Sequence, residues 1–174
     1  MRPGGASRVP AVLDTSFWVL GYRAEIAANC LDLFDIIVPA AVEAEIMASH
    51  PSTPSREYPY ATLFRHLGDK FRKPEVDVSP LRIFGRGEAE AIALAKQLDV
   101  ILLINESPGA HYARNMAVDV GTVPAVVVLL RSHGVISDRA ARRKLMLISP
   151  NTASAIIEDA LRVLDTLSDH DERT

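Results

Sequence analysis

Short apolar runs with polar edges alternate with longer amphipathic stretches along the chain. Val9 to Leu13 (VPAVL) is such a run and ends at Asp14, where Asp14-Thr15-Ser16 offers N-cap chemistry to a helix carrying Phe17, Trp18 and Leu20. A helical stretch, Glu25 to Phe34, leads into a buried-type strand, Asp35 to Val38, stopped by Pro39. Proline suits the first turn of a helix, so the next helix is expected from Ala40 to Ser49. Residues 50–59 read HPSTPSREYP and predict a surface loop.

A helix around Tyr60 to Leu67, a basic turn from Lys70 to Lys73 and a short strand, Val76 to Val78, follow. Gly85 and Gly87 bracket Arg86 ahead of GEAEAIALAKQL, the clearest helix, rich in strong helix formers. Asp99 then opens a strand, VILLI, that ends at Asn105-Glu106. A helix from Pro108 to Met116, a strand from Ala117 to Val120, a turn at Gly121 and a helix from Pro124 to Ser132 continue the alternation. Two further helices, Asp138 to Leu147 and Thr152 to Leu167, precede a charged tail.

Alternating apolar strands and helices predict an α/β fold: one doubly wound domain with a central parallel sheet flanked by helices. The expected organisation is a flexible lead-in over 1–9, a domain over 10–168 and a tail over 169–174. In such folds ligands bind at the carboxyl ends of the strands, near a topological switch point.

Composition narrows the function. With 174 residues, 48% hydrophobic and 24% charged, the chain can bury one real core. A net charge of −3 excludes a polybasic surface that grips nucleic acid by counterion release alone. The single cysteine, Cys30, makes no intrachain disulfide, and no Cys/His set has zinc-ligand spacing; a cytoplasmic, soluble protein is expected. The most apolar stretch, Val120 to Leu130, is too short to span a bilayer, which takes roughly 20 residues.

Acidic residues fall where strands end. Asp14 follows the first strand and Asn105-Glu106 the strand near Val100, with no glycine-rich phosphate loop behind either. In the helix after Gly87, the apolar positions Ala91, Ile92, Ala95 and Leu98 follow Glu88 at i+3, i+4, i+7 and i+10. Glu88 therefore starts the core-facing stripe, where an unpaired charge is costly, while a first-turn carboxylate also complements the helix dipole. Glu43 and Glu45 share the helix after Pro39, and spacing does not choose between them. Strand-end carboxylates with no Cys or His partner suit a hard divalent cation such as Mg²⁺ or Mn²⁺.

Together, VLDTSFWVL (12–20), VPAAVEAEI (38–46), GRGEAEAIALA (85–95), LLINESPGAHYA (102–113) and the Gly121-Thr122 turn before VVVLLRSHGVI resemble a PIN domain, in particular its stand-alone ribonuclease branch, which includes toxins of toxin–antitoxin pairs. The resemblance runs from about residue 11 to residue 165. It implies Asp14, Glu45, Glu88 and Glu106 as catalytic carboxylates and metal ligands, with Ser16 and Asn105 supporting them. Relatives usually carry two adjacent aspartates where this chain has Asn105-Glu106, and they are more basic just after that pair.

Arg86, Arg72 and Lys73 are the candidate phosphate contacts, drawn from a basic grouping that also holds Arg65, Lys70 and Arg82; Arg131, Arg139, Arg142, Arg143 and Lys144 form a second grouping. The resemblance implies an RNA substrate, an antitoxin partner and a homodimer. The alternative is a PIN fold weakened in catalysis by Asn105-Glu106 that binds RNA or protein. A haloacid-dehalogenase-type phosphatase is excluded because Ser16 stands where that family needs a second aspartate.

Overall fold

A computed structural model describes residues 8–48, 57–75, 78–79, 82–105 and 107–171. Four strands form its sheet: β1 (Val9–Leu13), β2 (Phe34–Ile37), β3 (Ile101–Leu103) and β4 (Val120–Gly121), in the order β2-β1-β3-β4 and all parallel. Their apolar residues are continuous because helices cover both faces; Ala11, Val12, Leu13, Leu102 and Leu103 have no exposed surface. The chain leaves β1 toward β2 on one side and reaches β3 on the other. The crevice between the carboxyl ends of β1 and β3 is therefore the switch point of the sheet.

Helices α1 (Thr15–Arg23), α2 (Cys30–Leu33), α3 (Ala40–Ile46) and α4 (Pro59–His66) occupy the first half of the chain. Helices α5 (Arg86–Leu98), α6 (Pro108–Asn115), α7 (Val123–Ser132), α8 (Asp138–Ile148) and α9 (Ser154–Asp171) follow. Helix α5 packs on α3, while α7, α8 and α9 pack on one another. Ile157, Ala160 and Leu164 of α9, which fall on one face at helical spacing, are buried within this chain's own core. Phe17, Trp18 and Cys30 are core residues as well, and burial pushes the Cys30 thiol up to about 12.

Four expected elements differ. The helix from Glu25 to Phe34 is reduced to Cys30–Leu33, because Glu25 turns left-handed at φ 58° directly after α1. The expected helix from Ala40 to Ser49 stops at Ile46, with Met47 as its C-cap. The strand expected over Ala117–Val120 is only Val120–Gly121, since Ala117, at φ 59°, reverses the chain after α6. Helix α9 continues to Asp171, past the expected end at Leu167; no glycine or proline interrupts it, and the Ser168 hydroxyl bonds Asp138.

Of the strand expected over 76–78, residues 76 and 77 lie outside the described residues, as do residues 1–7 of the lead-in, most of the 50–59 loop and residues 172–174 of the tail. The free edge of β2 is met instead by Arg72, whose backbone bonds Ile36 and Val38 at 2.8 and 2.9 Å. No helix among the described residues is long and apolar enough to cross a membrane.

Candidate functional site

Asp14 caps α1 at the end of β1: its carboxylate accepts the Ser16 N–H at 2.8 Å and the Ser16 hydroxyl. Its backbone N–H donates to the Leu103 carbonyl at 2.9 Å, which holds the ends of β1 and β3 together. Ser16 Oγ in turn accepts the Asn105 N–H at 3.1 Å, so one hydroxyl ties the cap of α1 to the second residue beyond β3.

Helices α3 and α5 bring two further carboxylates to the same crevice. Glu45 accepts the Thr15 hydroxyl at 2.7 Å and the Gly87 N–H at 2.8 Å. Glu88 accepts the Ser107 hydroxyl at 3.0 Å, and that hydroxyl accepts the Ala110 N–H as the N-cap of α6. Gly87 and Gly109 are required by these contacts: a Cβ at Gly87 would come within 2.6 Å of both carboxylate oxygens of Glu45, and one at Gly109 would meet Glu88 just as closely.

Asp14, Glu45, Glu88 and Asn105 line one open cleft of about 580 Å³, together with Thr15, Ser16, Arg23, Ser107 and Asn151. Asp14 is 3% exposed, and burial is the main reason its carboxyl is held above the usual range. The bonds from Ser16 pull it back down, while the charges of Glu88 and Glu45 push it further up. Among the described residues no lysine or arginine forms an ion pair with any of these three acids.

Such a donor set, all oxygen and mutually repelling, has the chemistry of a site for Mg²⁺ or Mn²⁺. Among the described residues no three acidic, imidazole or thiol groups close into a ready cage, so a cation here would keep several waters. Glu106 lies outside the described residues.

Glu43 is turned away from the cleft and pairs with Lys73. Arg72 pairs with Asp35 at 2.9 Å, so neither Arg72 nor Lys73 lines the cleft. Arg86 is exposed in the first turn of α5, next to Gly85 at the cleft wall. In the second basic grouping Arg142 binds Asp138 and Asp165, Arg143 pairs with Glu25 at the surface, Lys144 is buried against the Glu25 carbonyl, and Arg139 is exposed.

Three contributors escaped the sequence reading. Arg23 lines the cleft from the last turn of α1, on the face that carries Ser16, Val19 and Leu20; the i, i+3, i+4, i+7 spacing was the available signal. Asn151 reaches the cleft from the turn between α8 and α9 with no local signal. Glu90 accepts the Ala41 N–H at 2.8 Å and so caps α3, which has no side-chain cap of its own at Pro39.

The DUF3368 family model, described as a PIN domain, matches residues 26–149. Glu45, Glu88 and Asn105 fall inside the match, and Asp14 lies just before it. Among solved structures, a PilT N-terminus domain protein from the hyperthermophilic archaeon Sulfolobus solfataricus is similar at 15% identity and a TM-score of 0.45, over 66% of this chain and 87% of that one. No curated protein matches significantly. The family match covers most of the described sheet and its flanking helices, and the chain belongs to the PIN domain family, whose members are in general nucleases.

Proposed function

We propose that the protein is a metal-dependent ribonuclease, with Asp14, Glu45 and Glu88 holding one or more Mg²⁺ or Mn²⁺ ions in the cleft and Glu106 completing the set. The observation that carries this reading is the convergence of three carboxylates, none of them paired with a lysine or arginine among the described residues, at the switch point of a PIN fold. A bound divalent ion supplies phosphate charge screening and lowers the pKa of an attacking water. The protein's own residues do the positioning. Ser16 fixes the orientation of Asp14, Thr15 and Gly87 fix Glu45, and Ser107 fixes Glu88.

Without cation the same acids repel a phosphodiester, so cleavage is gated by metal. Arg23 stands at the far end of α1 as the cationic contact for a flanking phosphate, a role for which the guanidinium fork is suited. A toxin role with an antitoxin partner in the cytoplasm, and assembly as a homodimer, belong to the same proposal through the family. Purified protein is expected to cleave RNA in Mn²⁺, to stop in EDTA, and to lose cleavage in Asp14→Asn; cleavage untouched by that substitution sinks the proposal.

A second reading is favoured by Asn105, an uncharged amide lining the cleft. In that reading the fold binds RNA or a protein without cutting. It predicts RNA association that persists in EDTA and no rise in melting temperature with millimolar Mn²⁺, whereas an ion bound only by the native state must raise it.

A further inference from the structure

Two layers of aromatic side chains meet against helix α1, which carries Trp18 and Tyr22 and also lends Asp14, Ser16 and Arg23 to the carboxylate cleft. The inner layer is closed: Trp18 packs edge-on against Phe64 and Phe71, with ring centres 5.3 and 5.7 Å away, and those two rings stack on each other at 4.7 Å. All three are buried. The Trp18 indole N–H donates to the Tyr60 carbonyl at 2.9 Å, so this core fixes the backbone from which the outer layer rises.

The outer layer is only partly buried. Tyr58 and Tyr60 lie parallel, 5.0 Å apart at 11°, and Tyr22 meets Tyr60 edge-on at 6.5 Å. Tyr22 is followed directly by Arg23, which lines the cleft and whose charge also acts on the Tyr60 hydroxyl, though burial and Tyr58 outweigh it there. Helix α1 thus carries Asp14 at one end and the Tyr22–Arg23 pair at the other. At about 1.5 Å per residue the separation is roughly 13 Å, more than one nucleotide bridges.

We propose that Tyr22, Tyr58 and Tyr60, with Arg23, form a stacking platform for the unpaired bases of a single-stranded RNA whose backbone runs along α1 into the carboxylate cleft. This inference rests on the nuclease reading for the direction of the strand and names the form of RNA that the cleft takes. Parallel, partly exposed rings beside a cation are the two components by which proteins hold single strands without sequence readout. Bases paired in a duplex have no free face to offer such rings, so the platform selects unpaired segments. The cation also answers the charge problem of the chain: net charge is −3, yet the approach to the acids is bordered by Arg23.

The test is fluorescence anisotropy with the full chain, in EDTA so that no strand is cut. The probes are a fluorescein-labelled oligouridylate and a strand of equal length and charge whose central positions are abasic. The wild-type protein is expected to bind the oligouridylate roughly 5- to 100-fold more tightly than the abasic strand. The paired substitution Tyr58→Leu and Tyr60→Leu removes that preference, whereas Tyr58→Phe with Tyr60→Phe keeps it. Arg23→Gln weakens both strands alike and lowers the salt dependence.

Equal binding of both strands by the wild type, no binding of either, or a preference that survives the leucine pair overturns the platform. The wild-type comparison holds even if the leucine variant does not fold. Failure of Mn²⁺-dependent cleavage with the base preference intact would overturn the nuclease reading and leave the platform standing.

Discussion

The Gly87 N–H donates to Glu45 Oε1 at 2.8 Å, across 42 residues of sequence, and ties the first turn of α5 to the last turn of α3. The absence of a side chain at Gly87 is what lets the carboxylate sit there. Gly87→Ala is therefore expected to swing Glu45 aside rather than unfold the protein, because the obstructed atoms are the tip of a flexible, exposed side chain. Gly109→Ala displaces Glu88 in the same way. Residues that orient a ligand typically carry 10- to 100-fold in metal affinity or activity. Both variants should melt near the wild-type temperature while losing about that factor in Mn²⁺ affinity, read by thermal shift. A large fall in melting temperature without cation would place these glycines in folding instead.

Asp14 gives a stability signature that requires no activity assay. Its carboxyl is held above the usual range, chiefly by burial and further by Glu88 and Glu45. A raised folded-state value means that the native state binds the proton more tightly than the unfolded chain does. The stability this group contributes is present at low pH and is lost as pH rises through the raised value. At neutral pH the ionised carboxylate is a cost. Asp14→Asn keeps the cap, since asparagine serves as well at that position, and removes the charge. It should raise the melting temperature at neutral pH, by roughly 2–4 °C per kcal/mol recovered in a chain of this size. The gain should shrink as pH falls and Asp14 is protonated, and a melting-temperature series from pH 7 downward reads both.

What the sequence could convey follows the range of the interactions involved. Asp14 and Glu88 were legible because their positions are local facts: one ends an apolar run, the other starts a helical stripe. Glu43 and Glu45 were not separable by spacing, since each sits three residues from an apolar neighbour, and only the family resemblance chose Glu45; the contact that holds Glu43 is to Lys73, thirty residues distant. The short α2 and β4 were misread because Glu25 and Ala117 take left-handed backbone without being glycine. Asn151 enters the cleft through tertiary packing alone. Arg23, by contrast, was within reach, for it shares a helical face with Ser16.

Glu88 and Glu90 lie two residues apart on α5 and hold opposite roles. Glu88 faces the cleft, whereas the Glu90 carboxylate accepts the Ala41 N–H at 2.8 Å and supplies the missing cap of α3. Glu90→Ala leaves that donor without its partner and should cost about 1 kcal/mol, as loss of a cap does. Glu88→Gln keeps an acceptor for Ser107 and removes a repelling charge, so stability should hold or rise while Mn²⁺ binding falls. Denaturant midpoints for the two variants, taken with and without Mn²⁺, read the difference. Equal effects on stability would mean that the helix uses both acids alike.

Asn105 lines the cleft while its backbone N–H is spent on Ser16 Oγ, so the side chain is what changes in Asn105→Asp. The new carboxylate joins Asp14, Glu45 and Glu88, and like charges at this range oppose one another. Without cation the variant should therefore be less stable than the wild type at neutral pH, and Asp14 should be driven further up. With cation the order reverses, because an added anionic oxygen raises affinity for a hard ion. A tenfold gain in Mn²⁺ affinity adds about 1.4 kcal/mol of native-state stabilisation once the ion is in excess. The expected pattern is a lower starting melting temperature and a larger rise with Mn²⁺, accompanied by faster RNA cleavage. If Asn105→Asp lowers the starting point and gains no extra rise, the end of β3 takes no part in holding the ion, and the cleft works through Asp14, Glu45 and Glu88 alone.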